Sequence, residues 1–162
     1  MGLDMYAYKT KFDNINNQEQ QVKILKAPYK KDTNEYVEEI SEREQIGDWR
    51  KHNRLHGYME ELWHDKGCPG VPLDENGEPI MEQGFGSTFN CIPLELSKDD
   101  LKDLKDCITK KKLPETGGFF FGDDSYSDDE WGKQLKEDDL QFIKDALKAI
   151  KDGYVIHYDS WW

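Results

Sequence analysis

Residues 48–65 read DWRKHNRLHGYMEELWHD, and the point at which a helix begins in this stretch decides the fold. Asp48 has the side chain of an N-cap, because its carboxylate can accept the free amide hydrogens of a first turn. The pattern predicts a helix from Trp49 to His64, ended by Gly67 and then Pro69. At about 100° of rotation per residue, Leu55, Met59, Leu62 and Trp63 make one apolar stripe, with His52 and His56 at its edge. Arg50, Asn53, Arg54 and Gly57 fall on the other side. From Trp49 to His56 there are three cations and no acid, in a chain of 22 Lys and Arg against 34 Asp and Glu with a net charge of -12.

That basic face has two readings. In one it is solvated, with Arg50 and Arg54 paired to Glu60 or Glu61. In the other, Arg50, Lys51 and Asn53 line a pocket for a phosphate or carboxylate, which the fixed fork of an Arg suits, and Gly57 leaves room beside them. His52 and His56 have the i, i+4 spacing a metal could use, but no Glu lies between them and no third ligand is marked. Each imidazole is therefore expected to bond a backbone group, and no metal or cofactor is expected.

On the N-terminal side, Leu3, Met5 and Ala7 alternate as in a strand. Residues 11–20 are polar and turn-rich, and Val22 to Ala27 reads as a second strand closed by Pro28. Within 29–45, Tyr36, Val37 and Ile40 stand at helix-like spacing. On the C-terminal side, 66–87 is a long loop with its clearest turn at DENGEP (74–79). Thr88 to Leu96 reads as a strand, interrupted by an edge-type Pro93. Ser97 opens a second helix with Asp100 as its capping-box partner, the stripe Leu101, Leu104 and Ile108, and Pro114 closing it.

A second long loop, 115–127, carries Gly117-Gly118-Phe119-Phe120-Phe121-Gly122. Three successive Phe side chains cannot all point inward from one strand. Ser127 and Glu130 form the capping box of a third helix, 128 to about 151, with the stripe Leu135, Phe142, Ile143, Ala146, Leu147 and Ile150 and a terminal Gly153. Tyr154 to Tyr158 has strand character, and Tyr158 to Trp162 is expected to cover the core. Together these elements predict an α+β fold: about three helices packed on a small, mostly antiparallel sheet, in one domain spanning 1–162.

With 36% hydrophobic and 35% charged residues, the core is expected to lean on the five Trp, eight Tyr and seven Phe. There is no apolar run near the ~20 residues of a membrane span. Asp4 stands where a signal peptide has cations, and Tyr6 stands where a myristoylation signal has Ser or Thr. Cys68, Cys91 and Cys107 are odd in number and form no CxxC pair, which points to reduced thiols in a cytoplasm. The acidic balance argues against direct binding to nucleic acid. It fits either plain solubility or an acidic surface that imitates nucleic acid in a partner's basic groove.

No catalytic signature stands out. The glycines do not make a phosphate-binding GK[ST] loop, DDSYSDDE (123–130) lacks the calcium-loop pattern, and no GxSxG occurs. No cysteine is marked as a nucleophile by a histidine close to it in sequence.

MGLDMYAY at the start, WRKHNRLHGYMEELW at 49–63, LPETGGFFFG at 113–122 and a chain end rich in Tyr, Ser and Trp together resemble a family of small phage and prophage proteins. Its members open with MGLDMY, carry a W-R-K-x-N-x-[IL]-H helix and later LP…GFFFG. Trp49, Arg50, Lys51, Asn53, His56 and Gly118 to Gly122 match that pattern; the acidic loop 123–130 and the doubled Trp161-Trp162 depart from it. The resemblance implies phage origin and an intracellular setting, and no particular chemistry.

The sequence thus predicts an acidic accessory protein acting in the host cytoplasm by binding a host or phage protein, without membrane or nucleic-acid contact. The alternative is a small-ligand or phosphate site, binding or enzymatic, built from Arg50, Lys51, Asn53, His56, Gly118, Phe120 and Gly122.

Overall fold

Period-two burial at the N-terminus makes the first strand, β1 (Asp4–Phe12), with Met5 and Ala7 buried between partly exposed neighbours. The structure, a computed structural model, describes residues 2–12, 21, 40–71, 73–80, 88–116 and 126–162. The predicted strand at 22–27, the spacing at Tyr36 and Val37, and the GGFFFG segment with Gly118, Phe120 and Gly122 lie outside the described residues.

β1 pairs antiparallel on one side with β2 (Ile40–Arg50) and on the other with β4 (Val155–Trp161), while a two-residue β3 (Leu94–Glu95) borders β4. The sheet order is β2-β1-β4-β3. Among the described residues three helices of several turns accompany it: α1 (Asn53–Asp65), α2 (Lys98–Thr109) and α3 (Glu130–Lys151). The α+β expectation of helices on an antiparallel sheet holds. Of the strand read across 88–96, Leu94 and Glu95 form the β3 ladder, and Cys91 and Leu96 each donate a further backbone hydrogen bond to β4.

The main correction falls on the stretch that decides the fold. Residues 48–50 end a strand; they do not begin a helix. Trp49 pairs with Met5 and is buried edge-on against Phe142 at 5.0 Å, while Asp48 and Arg50 are exposed on the opposite face. Lys51 turns the corner at φ 56, its amide bonding the Leu3 carbonyl at 2.8 Å, and α1 starts at Asn53. The N-cap position belongs to His52, whose side chain makes no capping bond. Ile40, read at helix-like spacing, opens the same strand.

The helix ends obey local chemistry. Ser97 and Asp100 form the reciprocal capping box of α2. α3 is capped by Asp129, which accepts from the Gly132 amide, with the Ser127 hydroxyl donating to that carboxylate at 2.6 Å; the predicted Ser127–Glu130 box is not formed. All three helices close with the same pair of reverse-turn hydrogen bonds, from Gly67 and Cys68, from Lys111 and Lys112, and from Gly153 and Tyr154. α2 therefore ends on its own turn at Thr109, ahead of Pro114.

One core joins the sheet face of Leu3, Met5, Ala7, Trp49, Leu94, Ile156 and Tyr158 to the buried stripes of the helices. Aliphatic side chains fill most of it. Aromatics concentrate between α1 and β4, where Phe89 stacks on Trp63 at 5.1 Å and on Tyr158 at 6.0 Å. Trp63 is fully buried and donates its indole hydrogen to the Pro69 carbonyl at 2.9 Å. Tyr158 and Ser160 are buried and Trp162 packs on His56 at 4.9 Å, but Trp161 stays 58% exposed, so the chain end covers the core only in part. No helix among the described residues is long and apolar enough to cross a membrane.

Candidate functional site

Of the residues proposed from sequence as a ligand site, Gly118, Phe120 and Gly122 lie outside the described residues, and Arg50, Lys51, Asn53 and His56 divide between the surface and the interior. Arg50 is exposed on the edge strand β2, 3.5 Å from Asp4, an ion pair worth little at a wet surface. Lys51 is exposed at the corner. Asn53 is buried and turned inward to the first turn of α1, its Oδ1 accepting from the Arg54 amide at 2.8 Å. His56 lies in the aromatic core, with Tyr158 Oη 2.8 Å from Nδ1 and the Phe89 ring stacked at 5.6 Å. Burial lowers its pKa to about 3, so it is neutral at pH 7 and accepts the Tyr158 hydrogen. Arg54 donates to the Leu113 carbonyl at 3.1 Å and lays its guanidinium over the Tyr126 ring at 4.2 Å.

What the fold does bring together is His52 and Asp139. His52 sits at the corner between β2 and α1, and Asp139 in the middle of α3, at the place in the stripe between Leu135 and Phe142 where an apolar side chain is expected. His52 Nε2 and Asp139 Oδ2 are 2.8 Å apart with side chains 2% and 3% exposed. His52 Nδ1 and Asp139 Oδ1 are also buried, and neither has a hydrogen-bond partner among the described residues.

His52 and Asp139 are among the residues that line a cleft of about 230 Å³ between α2, α3 and the segment at Tyr126 to Asp128. Ile108, Leu113, Leu135 and Tyr126 supply apolar walls, and Lys111, Lys133 and Lys136 stand at the rim. Tyr126 is held in place from two sides: its hydroxyl accepts from the Leu113 amide at 2.6 Å and its ring carries Arg54. Thr116 is packed against Gly57 of α1 so closely that a Cβ there would collide with the threonine side chain. The two described ends of the segment that contains GGFFFG are thus both anchored on the start of α1.

An ionised carboxylate that accepts from one imidazole nitrogen holds the ring in a fixed tautomer and leaves the other nitrogen ready to accept a hydrogen bond or a proton. That is the chemistry this cleft can offer. Its signal in the sequence was Asp139, an acid placed on an apolar stripe at i−3 from Phe142 and i+4 from Leu135. The partner could not be read, because the contact spans 87 residues.

One further pair contradicts the sequence reading that no cysteine has a histidine nearby. Cys68 Sγ lies 3.4 Å from His64 Nδ1, four residues earlier, at the exposed end of α1. Among the described residues no group of three or more His, Cys, Asp or Glu side chains is placed to hold a metal ion.

Compared with known proteins, the chain matches no family model, no curated protein and no solved structure.

Proposed function

We propose that this chain is a small-molecule-binding domain whose site is the His52–Asp139 cleft. The observation that carries the reading is the pair of unsatisfied buried atoms, His52 Nδ1 and Asp139 Oδ1, on two residues that line a cleft with apolar walls. Buried polar groups are nearly always hydrogen-bonded, and leaving one unmade costs about 1–3 kcal/mol. Other buried polar atoms are also unsatisfied among the described residues, both ring nitrogens of His157 included, but the His52 and Asp139 atoms belong to residues that line a cleft. The setting we propose is a phage-type accessory protein in a host cytoplasm, a reading supported by the MGLDMY, WRKHNRLH and LPETGGFFFG islands.

The test is a thermal-shift panel of small polar metabolites on the full chain, on His52→Gln and on the rim variant Lys133→Glu/Lys136→Glu. A ligand present at 100-fold its Kd adds about 2.7 kcal/mol to folding stability. At least one compound is expected to raise the wild-type Tm by several degrees and to lose that effect in His52→Gln. A panel in which every compound acts equally on wild type and His52→Gln would remove the proposal.

A second reading, action through a host or phage protein, is favoured by the net charge of -12 together with the exposed apolar side chains Leu73, Ile80, Trp131 and Trp161. Its test is a pull-down in which Trp131→Ser and Trp161→Ser release a partner that wild type retains at moderate salt. Equal recovery by wild type and both variants would discount those side chains.

A further inference from the structure

We infer that the cleft takes a small anion bearing an O–H or N–H donor, with the donor on the His52–Asp139 pair and the negative group at the lysine rim. This inference rests on the small-molecule reading above and adds to it the class of ligand.

The donor follows from what the two inner atoms lack. Asp139 Oδ2 takes the Nε2 hydrogen of His52, and an ionised carboxylate offers only acceptor sites at its other oxygen. A neutral imidazole whose Nε2 hydrogen is committed in this way presents Nδ1 as a lone pair. Asp139 Oδ1 therefore accepts, as does Nδ1 of a neutral His52, and neither a carboxylate nor an ether oxygen can complete such acceptors. A hydroxyl or an amino group can serve such an acceptor.

The negative group follows from the rim. The charged residues lining the cleft are Lys111, Lys133 and Lys136 against Asp128 and Asp139, three cations to two anions, where the whole chain is -12. Lys111 leans to Asp128 at 3.5 Å, and neither Lys133 nor Lys136 is in an ion pair among the described residues. An anion at this mouth would meet two lysines that are in no ion pair among the described residues, on a chain whose net charge is -12. Between rim and pair, Ile108, Leu113, Leu135 and Tyr126 leave room for a hydrocarbon body. The volume of about 230 Å³ suits one ring or a short chain; sites for larger ligands run to ~300–1,000 Å³.

Matched probes separate the contributions. 4-Hydroxybenzoate and 4-aminobenzoate carry donor and charge, benzoate carries charge alone, and 4-methylphenol carries a donor alone. Titration calorimetry on the full chain is expected to show the first two binding at least tenfold more tightly than either of the others. The Lys133→Glu/Lys136→Glu variant changes only exposed side chains; it should weaken 4-hydroxybenzoate at least tenfold and leave 4-methylphenol unchanged. Equal binding of benzoate would overturn the donor, and equal binding of 4-methylphenol would overturn the anion. No binding by any of the four overturns the class. If the metabolite panel has meanwhile found a His52-dependent ligand of another kind, the site stands and only the class is lost. If it has found none, the site itself is lost.

Discussion

His52 Nε2 and Asp139 Oδ2 lie 2.8 Å apart, tying the corner between β2 and α1 to the middle of α3 across 87 residues of chain. Removing one member of such a pair costs more than the pair contributes, because the survivor stays buried. An orphaned neutral group costs about 1–3 kcal/mol and an orphaned buried ion about 3–5 kcal/mol. Asp139→Ala is therefore expected to lose about 3 kcal/mol in urea denaturation. The double variant His52→Leu/Asp139→Leu, with no polar atom left to satisfy, should recover most of that loss. A single-variant loss below about 0.5 kcal/mol, the ordinary scale of a neutral surface change, would contradict a buried pair.

Gly57 and Thr116 make the second long-range lock. Alanine in place of a mid-helix glycine ordinarily gains about 1 kcal/mol. Here the added Cβ meets the Thr116 side chain, and overpacking typically costs about 1–3 kcal/mol. Gly57→Ala should lower Tm despite its better helix propensity, and Thr116→Gly in the same chain should restore it. A rise in Tm for Gly57→Ala alone would show that Thr116 yields freely.

Acid should unfold the protein through two buried histidines. Burial lowers the pKa of both His56 and His157 from 6.5 to about 3. Between those values the unfolded chain binds protons that the folded chain does not, so stability is full above about pH 6.5 and falls as pH drops toward 3. Each histidine contributes a slope of about 1.4 kcal/mol per pH unit inside that window. Urea denaturation at pH 7, 6, 5 and 4 should show the decline, and His157→Leu should make it shallower. A stability flat from pH 7 to 4 would contradict the burial of both rings.

Lys111 holds the left-handed conformation at φ 53 that Gly67 and Gly153 hold at the ends of α1 and α3. A residue with a Cβ pays about 1–2 kcal/mol there. Its ion pair with Asp128 is long and largely exposed, 3.5 Å with 60% and 96% of the side chains accessible, so little is lost with it. Lys111→Gly should therefore stabilise the protein by about 1 kcal/mol, measured as a raised urea midpoint at unchanged m-value.

The elements that local chemistry sets were legible in the sequence. Ser97 with Asp100 marked the start of α2, Gly67 and Gly153 marked helix ends, and the Leu135–Phe142–Ile143–Ala146 stripe marked the inner face of α3. The boundary at 48–53 was not. Asp48 is chemically a good cap, and three residues of period-two burial look like the edge of a helix. What makes Trp49 a strand residue is its pairing with Met5, 44 positions earlier, and no local pattern carries that. The error propagated: starting the helix at Trp49 put Arg50, Asn53 and Gly57 on a common face that the corner at Lys51 breaks. His52 was seen, but as a packing histidine. Its cleft needs Asp139, whose oddity on an apolar stripe was visible while its partner was not.

The most direct measurement is the ¹⁵N shift of the His52 ring nitrogens during titration of the full chain with 4-hydroxybenzoate. His52 Nδ1 should move as a donor reaches it, while Nε2, held on Asp139, stays nearly constant. Movement confined to the exposed His64, or a His52 Nδ1 signal unchanged up to millimolar ligand, would contradict the assignment of the cleft as the site.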